Sequence, residues 1–238
     1  MKKNTLFFCI LLLCLSQTSV LARDMNEAEL NYGIFVGANY NEMTGLQEMI
    51  VSEDYFTGYN FDSRNSFGVI GGVFLNYRAS NLFGFQPEIT FSTQHGKLRY
   101  SDIDDFRYDL AFKYNYMNVG IGFKLYPWEN LFVSATPQVG FNITPNNLFY
   151  TSNGEDIYGP DLETQQLMRT AIKGKSNVSI GLGLGYQFLN RIYIEARYYF
   201  GVSDMIETLP NSYRFIENTN IANTVQFTIG YTILPIDL

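Results

Sequence analysis

Eight segments of the chain alternate between apolar residues on one side and glycine or polar residues on the other. They are residues 31–41, 66–78, 83–95, 116–126, 131–142, 177–188, 192–201 and 224–233. A period of two is that of a β-strand, whose successive side chains point to opposite faces. In the third segment, Phe85 and Ile89 share one face, whereas Gln86 and Glu88 share the other. The chain is therefore predicted to be all-β, and no composition break divides it.

The connections between these segments alternate in length. Short connections are predicted at residues 79–82, 127–130 and 189–191, and long ones at 42–65, 96–108, 145–175 and 202–222. An even number of strands, with short turns at one end and long loops at the other, is the layout of an outer-membrane barrel. We therefore predict an eight-stranded antiparallel up-and-down transmembrane β-barrel with four long extracellular loops, short periplasmic turns and both termini in the periplasm.

The composition of the two strand faces indicates which one points outward. The apolar faces are nearly free of charge over a full strand length, as a lipid-facing band about 25 Å tall requires. The opposite faces are rich in glycine, which suits a crowded lumen. A lipocalin-like soluble barrel, with the faces exchanged, is the alternative. Aromatic residues at the strand ends are predicted to form an interfacial girdle: Tyr32, Tyr40, Phe67, Tyr77, Phe83, Tyr126, Trp128 and Phe188.

The first 22 residues are typical of a cleaved signal peptide. Lys2 and Lys3 precede an apolar run over residues 6–15, and small residues lie around Ala22. The run is too short to span a bilayer. Lipidation at Cys14 is a weak alternative, because Leu13 stands where a small residue is expected. The predicted domains are a signal peptide, residues 1–22, and an outer-membrane barrel, residues 23–238.

The charge of the remaining chain argues against a nucleic-acid partner. Without the leader, 14 basic and 23 acidic residues give a net charge of −9. Nucleic-acid binding requires a basic face. Both cysteines, Cys9 and Cys14, lie within the leader. We expect a monomer without a cofactor or a metal, in contact with outer-membrane lipid and lipopolysaccharide, and with other envelope proteins as further candidate partners.

Four charged residues are predicted to meet inside the barrel. By strand parity, Glu88, Lys124, Glu195 and Arg197 all point inward. An unpaired buried charge costs several kcal/mol, so these side chains should form one network. Its predicted polar extensions are Gln86, Gln138 and Gln226. Because eight strands enclose a lumen that side chains fill, a closed plug is favoured over a gated ion path.

A glycine stripe is predicted to make room for these charges. The stretch 179–188 reads SIGLGLGYQF, which does not match the G-x-G-x-x-G phosphate-binding pattern. Its period of two places three glycines on the inward face. With a tight turn near Asn190, the predicted pairs are Gly181 with Tyr199, Gly183 with Arg197 and Gly185 with Glu195.

Three other features are weaker candidates. His95, Ser101 and Asp102 form a catalytic triad on paper, as in barrel lipases, but no spacing fixes their geometry. The acidic residues of loop 96–109 are predicted to be a solvated patch, with weak calcium binding as the alternative; they are Asp102, Asp104, Asp105 and Asp109. Residues 161–169 would form a short helix over the barrel mouth, with Leu162, Leu167 and Met168 on its apolar side.

Three strands resemble those of the small outer-membrane barrels of the Bacteroidota, the PorT-like or outer membrane beta-barrel domain family. Residues 85–92 (FQPEITFS), followed by Gly96, resemble its third strand, and 116–126 (YMNVGIGFKLY) its strand of the type YLEIPLLLKYYF. Residues 195–202 (EARYYFGV) resemble its RYxxGL stretch. Gly120 stands where the family usually has proline, and the chain continues beyond Tyr231 to Leu238. The resemblance implies a barrel without catalytic marks, and one branch of the family is implicated in type IX secretion and gliding.

The sequence thus predicts a non-enzymatic outer-membrane barrel with a closed, side-chain-filled lumen. It would act in envelope structure, or in surface interaction through its long loops. The first alternative is a component of a transport or secretion system of the PorT type, or a small channel. The more distant alternative is a lipid-modifying enzyme of the outer membrane.

Overall fold

The structure is a computed structural model that describes residues 29–46, 60–101, 105–128, 130–154, 160–188, 191–209 and 219–236. The predicted leader, residues 1–22, lies outside these ranges. The described elements are β1 (Glu29–Met43), β2 (Asn60–Arg78), β3 (Phe83–Ser101), β4 (Arg107–Leu125), β5 (Leu131–Asn142), β6 (Leu148–Ser152), α1 (Asp161–Ala171), β7 (Ile172–Gly174), β8 (Asn177–Phe188), β9 (Ile192–Gly201), β10 (Ile206–Thr208) and β11 (Ala222–Ile236).

Eight of these strands close into an antiparallel barrel. The order around the ring is β1, β2, β3, β4, β5, β8, β9 and β11, and β11 pairs with β1. Each predicted segment is one of these strands, so the predicted fold class is confirmed. Neighbouring strands meet at one end through the connections after β2, β4 and β8, and this end is called the short-turn end. The opposite end is called the long-loop end.

The strands extend further at the long-loop end than the sequence predicted. The prediction of a loop over residues 96–108 is wrong, because β3 and β4 remain paired from Gly96 with Phe112 to Ser101 with Arg107. The predicted loop 145–175 contains β6, α1 and β7. β6 takes over from β5 as the partner of β4, with Leu148 opposite Phe112.

The hydrophobic pattern of β4 changes phase along its length. In its lower part, Val119 and Ile121 point outward and are about half exposed, while Asn118 points inward. In its upper part, Leu110 and Phe112 point inward and are buried. The outside of the barrel changes from lipid to water at this level, so apolar side chains are more stable inside the upper part.

The upper strands enclose a second apolar core, here called the dome core. Side chains from the strands and from α1 form it: Met43, Leu46, Leu98, Leu110, Phe112, Tyr114, Tyr116, Leu148, Tyr150, Met168, Ala171, Ile172, Met205, Ile206 and Ala222. β7 and β10 add a two-stranded sheet to it, with Ile172 opposite Thr208. The long-loop end is therefore a packed layer that closes the mouth of the barrel.

Helix α1 covers the free edge of β6. The Arg169 Nε donates a hydrogen bond to the Leu148 carbonyl (2.8 Å), and Gln165 Oε1 accepts one from the Tyr150 amide (3.0 Å). Covering an edge strand in this way satisfies backbone groups that would otherwise pair with another chain. Within the described part of the chain, no helix is long and apolar enough to cross a membrane.

The buried face of α1 differs from the predicted one. Thr164, Met168 and Ala171 are buried, at helical spacing, whereas Leu162 and Leu167 are exposed. The helix is therefore present, but the prediction that Leu162 and Leu167 form its packing side is wrong. Its inner face must fit both the apolar dome core and the polar edge of β6, and small or polar side chains do this better.

Replacing Leu110 with alanine should loosen the dome core and leave the membrane part of the barrel intact. Leu110 is fully buried, and a buried Leu→Ala change costs about 2–5 kcal/mol. We expect faster limited proteolysis at the long-loop end, with unchanged heat-modifiable gel mobility. Val119→Ala, on the outward face of the same strand, is the matched control and should leave the proteolysis rate unchanged. Equal proteolysis rates in both variants would contradict a packed dome core.

Candidate functional site: the sealed lumen

The lumen at the short-turn end is filled by an aromatic layer. Phe74 lies edge-on to Tyr193, with ring centroids 5.5 Å apart, and Phe132 also lies edge-on to Tyr193, at 6.2 Å. Tyr126 is buried beside Phe132 and under the Arg78 guanidinium, which lies 4.2 Å from its ring centroid. The prediction that Tyr126 belongs to an outer girdle is therefore wrong. The inward position of Phe74 was missed, because it interrupts a polar row.

Arg197 is the centre of a buried ionic network above this layer. Its Nη1 and Nη2 donate to the two carboxylate oxygens of Glu88, at 2.5 and 3.0 Å. Nη2 also donates to Glu195 Oε2 at 2.8 Å, and Nη1 to the Tyr199 hydroxyl at 3.0 Å. The Ser134 hydroxyl donates to Glu195 Oε1 at 2.6 Å. Arg197, Glu88 and Glu195 are each at most 3% exposed, and Arg197 is the cation in direct contact with both carboxylates.

Lys124 joins the network through a glutamine. Its ammonium donates to Gln86 Oε1 (2.8 Å), and Gln86 Nε2 donates to Glu88 Oε2 (3.0 Å). The same ammonium lies 4.1 Å from the centroid of the Phe132 ring and 5.0 Å from that of Tyr193. Lys124 therefore connects the ionic network to the aromatic layer by cation–π contacts. The structure brings all four inward charges together.

The other two predicted extensions of the ionic network, Gln138 and Gln226, lie in a separate polar layer nearer the dome core. Gln138 Nε2 donates to the Ser179 hydroxyl (3.0 Å), and Gln226 is buried. Both line a cavity of about 10 Å³, which is the size of one water molecule. Other residues of this layer are Asn39, Ser92, Gln94, Asn118, Asn177 and Thr224. The polar layer therefore leaves room for about one water molecule.

The glycine stripe of β8 provides clearance for the largest lumen side chains. The register pairs Gly181 with Tyr199, Gly183 with Arg197 and Gly185 with Glu195, as predicted. A Cβ on Gly183 would contact the Ser134 hydroxyl and lie 2.8 Å from Arg197 Cγ. A Cβ on Gly185 would overlap the Phe132 ring. The alternation of β5 did not predict a phenylalanine next to Gly185 in the lumen.

The weak catalytic candidates do not form a site among the residues that the structure describes. His95 and Ser101 both lie on β3, six residues apart, which corresponds to about 20 Å along a strand. Asp102 lies outside the described residues. Partial burial lowers the pKa of His95, and the positive charge of Lys113 lowers it further. His95 and Ser101 are therefore too far apart along β3 to form a hydrogen-bonded catalytic pair.

The described members of the acidic patch have cationic partners. Asp109 receives two hydrogen bonds from Arg99, at 2.8 and 3.1 Å, and Asp105 pairs with Arg107 at 3.0 Å. The hydrogen bond from Arg99 lowers the pKa of Asp109. Asp102 and Asp104 lie outside the described ranges. Among the residues that the structure describes, no three His, Cys, Asp or Glu side chains form a group suited to a metal ion.

The closed antiparallel ring, the apolar outer band and the polar, side-chain-filled lumen define the class of outer-membrane β-barrel proteins. A family model for the outer membrane protein beta-barrel domain matches residues 16–207. The match covers most of the chain, and the chain belongs to this family. The protein is located in the bacterial outer membrane. No curated protein sequence matches it.

Several solved structures are similar to this chain at low identity. Ail, the attachment invasion locus protein of Yersinia pestis, is 15% identical with a TM-score of 0.40, over 87% of this chain and 99% of that chain. OprG of Pseudomonas aeruginosa is 10% identical with a TM-score of 0.40, over 87% and 95%. Neisserial surface protein A is 9% identical with a TM-score of 0.38, over 87% and 99%.

Proposed function

We propose that this protein is a non-enzymatic surface protein of the outer membrane, in which a sealed barrel carries the dome as an interaction platform. The observation that carries the proposal is the dome core, which is folded around its own apolar residues above the membrane. A passive membrane anchor has no need for such a layer, whereas a stable extracellular surface requires one. The platform would act in envelope structure or in contacts with other envelope components.

The lumen supports a role other than conduction. The aromatic layer, the ionic network and the dome core occupy three successive levels of the described barrel. A channel would require the Arg197 pairs with Glu88 and Glu195 to separate, which leaves charges unpaired in a narrow space. A PorT-like role in secretion is the second candidate, and the resemblance of three strands to that family is its support.

Labelling of single cysteines on intact cells tests the surface role. Thr151→Cys places a thiol on the exposed face of β6, and Arg191→Cys places one at the short-turn end. We expect a membrane-impermeant thiol reagent to label the cysteine at position 151 on intact cells, and the one at position 191 only after permeabilisation. The only cysteines of the chain lie in residues 1–22, which keeps the background low. Labelling of position 151 only after permeabilisation would contradict the surface role.

A further inference from the structure

A group of cations lies on the outward face of the dome, directly above the lipid-facing rows of β3 and β4. The cations are Arg64 on β2, Lys97 and Arg99 on β3, Lys113 on β4 and Arg169 on α1. The chain as a whole carries a net charge of −7. A basic group on an acidic protein indicates an anionic partner at that position.

Three of these cations are paired with carboxylates of the protein. Lys97 lies 2.6 Å from an Asp109 oxygen, and Arg99 binds the same carboxylate through two hydrogen bonds. Arg64 pairs with Asp62 at 3.0 Å. Three cations and two carboxylates leave a net charge of +1 at this upper level, and each of the three cations already has a partner in the protein.

The two lower cations share an aromatic ring. The Lys113 ammonium lies 4.7 Å from the centroid of Phe149, and the Arg169 guanidinium carbon lies 5.5 Å from it. The Lys113 ammonium nitrogen and the Arg169 guanidinium carbon are therefore at most about 10 Å apart. Neither has an ion pair with a carboxylate among the described residues. Arg169 uses Nε for the Leu148 carbonyl, which orients the fork of its two Nη atoms.

Lys113 lies within side-chain reach of the headgroup region. Met117 is the last lipid-facing residue of β4, and Lys113 lies four residues further along the strand. At about 3.3 Å per residue and a tilt of about 40°, this places Lys113 about 10 Å above the lipid-facing band. A headgroup region is about 5–8 Å thick, and long basic side chains bend toward it.

We propose that Lys113 and Arg169, positioned on Phe149, bind a phosphate group of the lipopolysaccharide in the outer leaflet. The arginine fork suits bidentate contact with phosphate, and the lysine adds a point charge. Phe149 acts as a positioning residue, since it holds both cations on the outward face. This inference names one envelope partner of the proposed surface protein and depends on the dome lying outside the cell.

Binding of lipid A to the refolded protein in nanodiscs tests the site. We expect Lys113→Gln with Arg169→Gln to weaken the binding of lipid A carrying both phosphates by about tenfold, which corresponds to about 1.4 kcal/mol. Arg107→Gln with Arg191→Gln is the matched control, with unchanged affinity, because it removes a cation that Asp105 pairs with at the top of β4 and a cation at the short-turn end. Phe149→Leu keeps both charges and should weaken binding by a smaller factor, because the cations lose their common support. Each variant is first shown to fold by heat-modifiable mobility.

Two further probes define the ligand. Dephosphorylated lipid A should bind the unmodified protein as weakly as phosphorylated lipid A binds the double variant with Lys113→Gln and Arg169→Gln. Inorganic phosphate should not compete at equal concentration. Equal affinity of the double variant and the unmodified protein for lipid A would overturn the proposal. Competition by inorganic phosphate would also overturn it, since the site would then serve a soluble anion. Neither result bears on the cysteine labelling, so the surface role is judged separately.

Discussion

Replacing Arg197 with methionine should lower the free energy of unfolding by about 3–5 kcal/mol. The variant loses the guanidinium that contacts both Glu88 and Glu195, and two carboxylates then remain buried without a cation between them. Lys124 compensates only in part, because its ammonium attracts both carboxylates but makes its direct contacts with Gln86 and two aromatic rings. Urea titration in lipid vesicles, followed by tryptophan fluorescence and gel mobility, measures the change.

Two control variants separate charge from volume. Neutralising all four charges together, with Glu88→Gln, Lys124→Met, Glu195→Gln and Arg197→Met, should recover most of the loss, because no buried charge then lacks a partner. Arg64→Met breaks an exposed pair with Asp62 and should change stability by less than about 1 kcal/mol. A loss below about 1 kcal/mol for Arg197→Met would show that the network does not stabilise the barrel.

Replacing Gly183 with leucine should prevent or strongly slow folding. Its Cβ alone would contact the Ser134 hydroxyl and lie 2.8 Å from Arg197 Cγ and 2.9 Å from Glu195 Oε1. These atoms are held by the ionic network and cannot move away without breaking its hydrogen bonds. Overpacking typically costs about 1–3 kcal/mol, and the loss of a buried charge pair adds to this.

Gly71→Leu is the matched control for this substitution. Gly71 also lies in a barrel strand, but a Cβ there would meet no atom nearer than the Phe35 carbonyl oxygen, at 3.5 Å. We expect Gly71→Leu to fold with the yield of the unmodified protein. The measurement is the folded fraction on heat-modifiable gels after refolding. Equal yields for the two variants would contradict the assignment of the glycine stripe as clearance for Arg197.

The membrane-spanning part of the barrel could be predicted because one physical rule applies to it. Lipid outside and a crowded polar lumen inside produce the same alternation in all eight strands. Parity alone therefore placed Glu88, Lys124, Glu195 and Arg197 inside, and the tight turn of β8 and β9 fixed the register of Gly183 opposite Arg197. These inferences need only the period of two and the length of the turn.

The dome could not be predicted from the same rule, because its environment is different. Above the membrane, Leu110 and Phe112 point inward and Lys113 points outward, which reverses the pattern of the lower strand. The sequence prediction required apolar residues to stay on the outward face of every strand. Residues 96–108 break this pattern and were therefore predicted to be a loop. The contacts between α1 and β6 depend on tertiary packing, so Thr164 rather than Leu162 faces the core. The aromatic layer was missed for a related reason. Phe74 and Tyr126 occupy inward positions, where the alternation predicts polar residues or glycine.

Single-channel recording in planar bilayers tests the central claim, that side chains seal the lumen at several levels. The refolded protein, with its insertion verified by heat-modifiable mobility of protein recovered from vesicles, should give no steady conductance steps across the accessible voltage range. The Arg197–Glu88 contact, with both residues almost fully buried, is the basis of this expectation. A steady, ohmic conductance from the unmodified protein would contradict the sealed-lumen account.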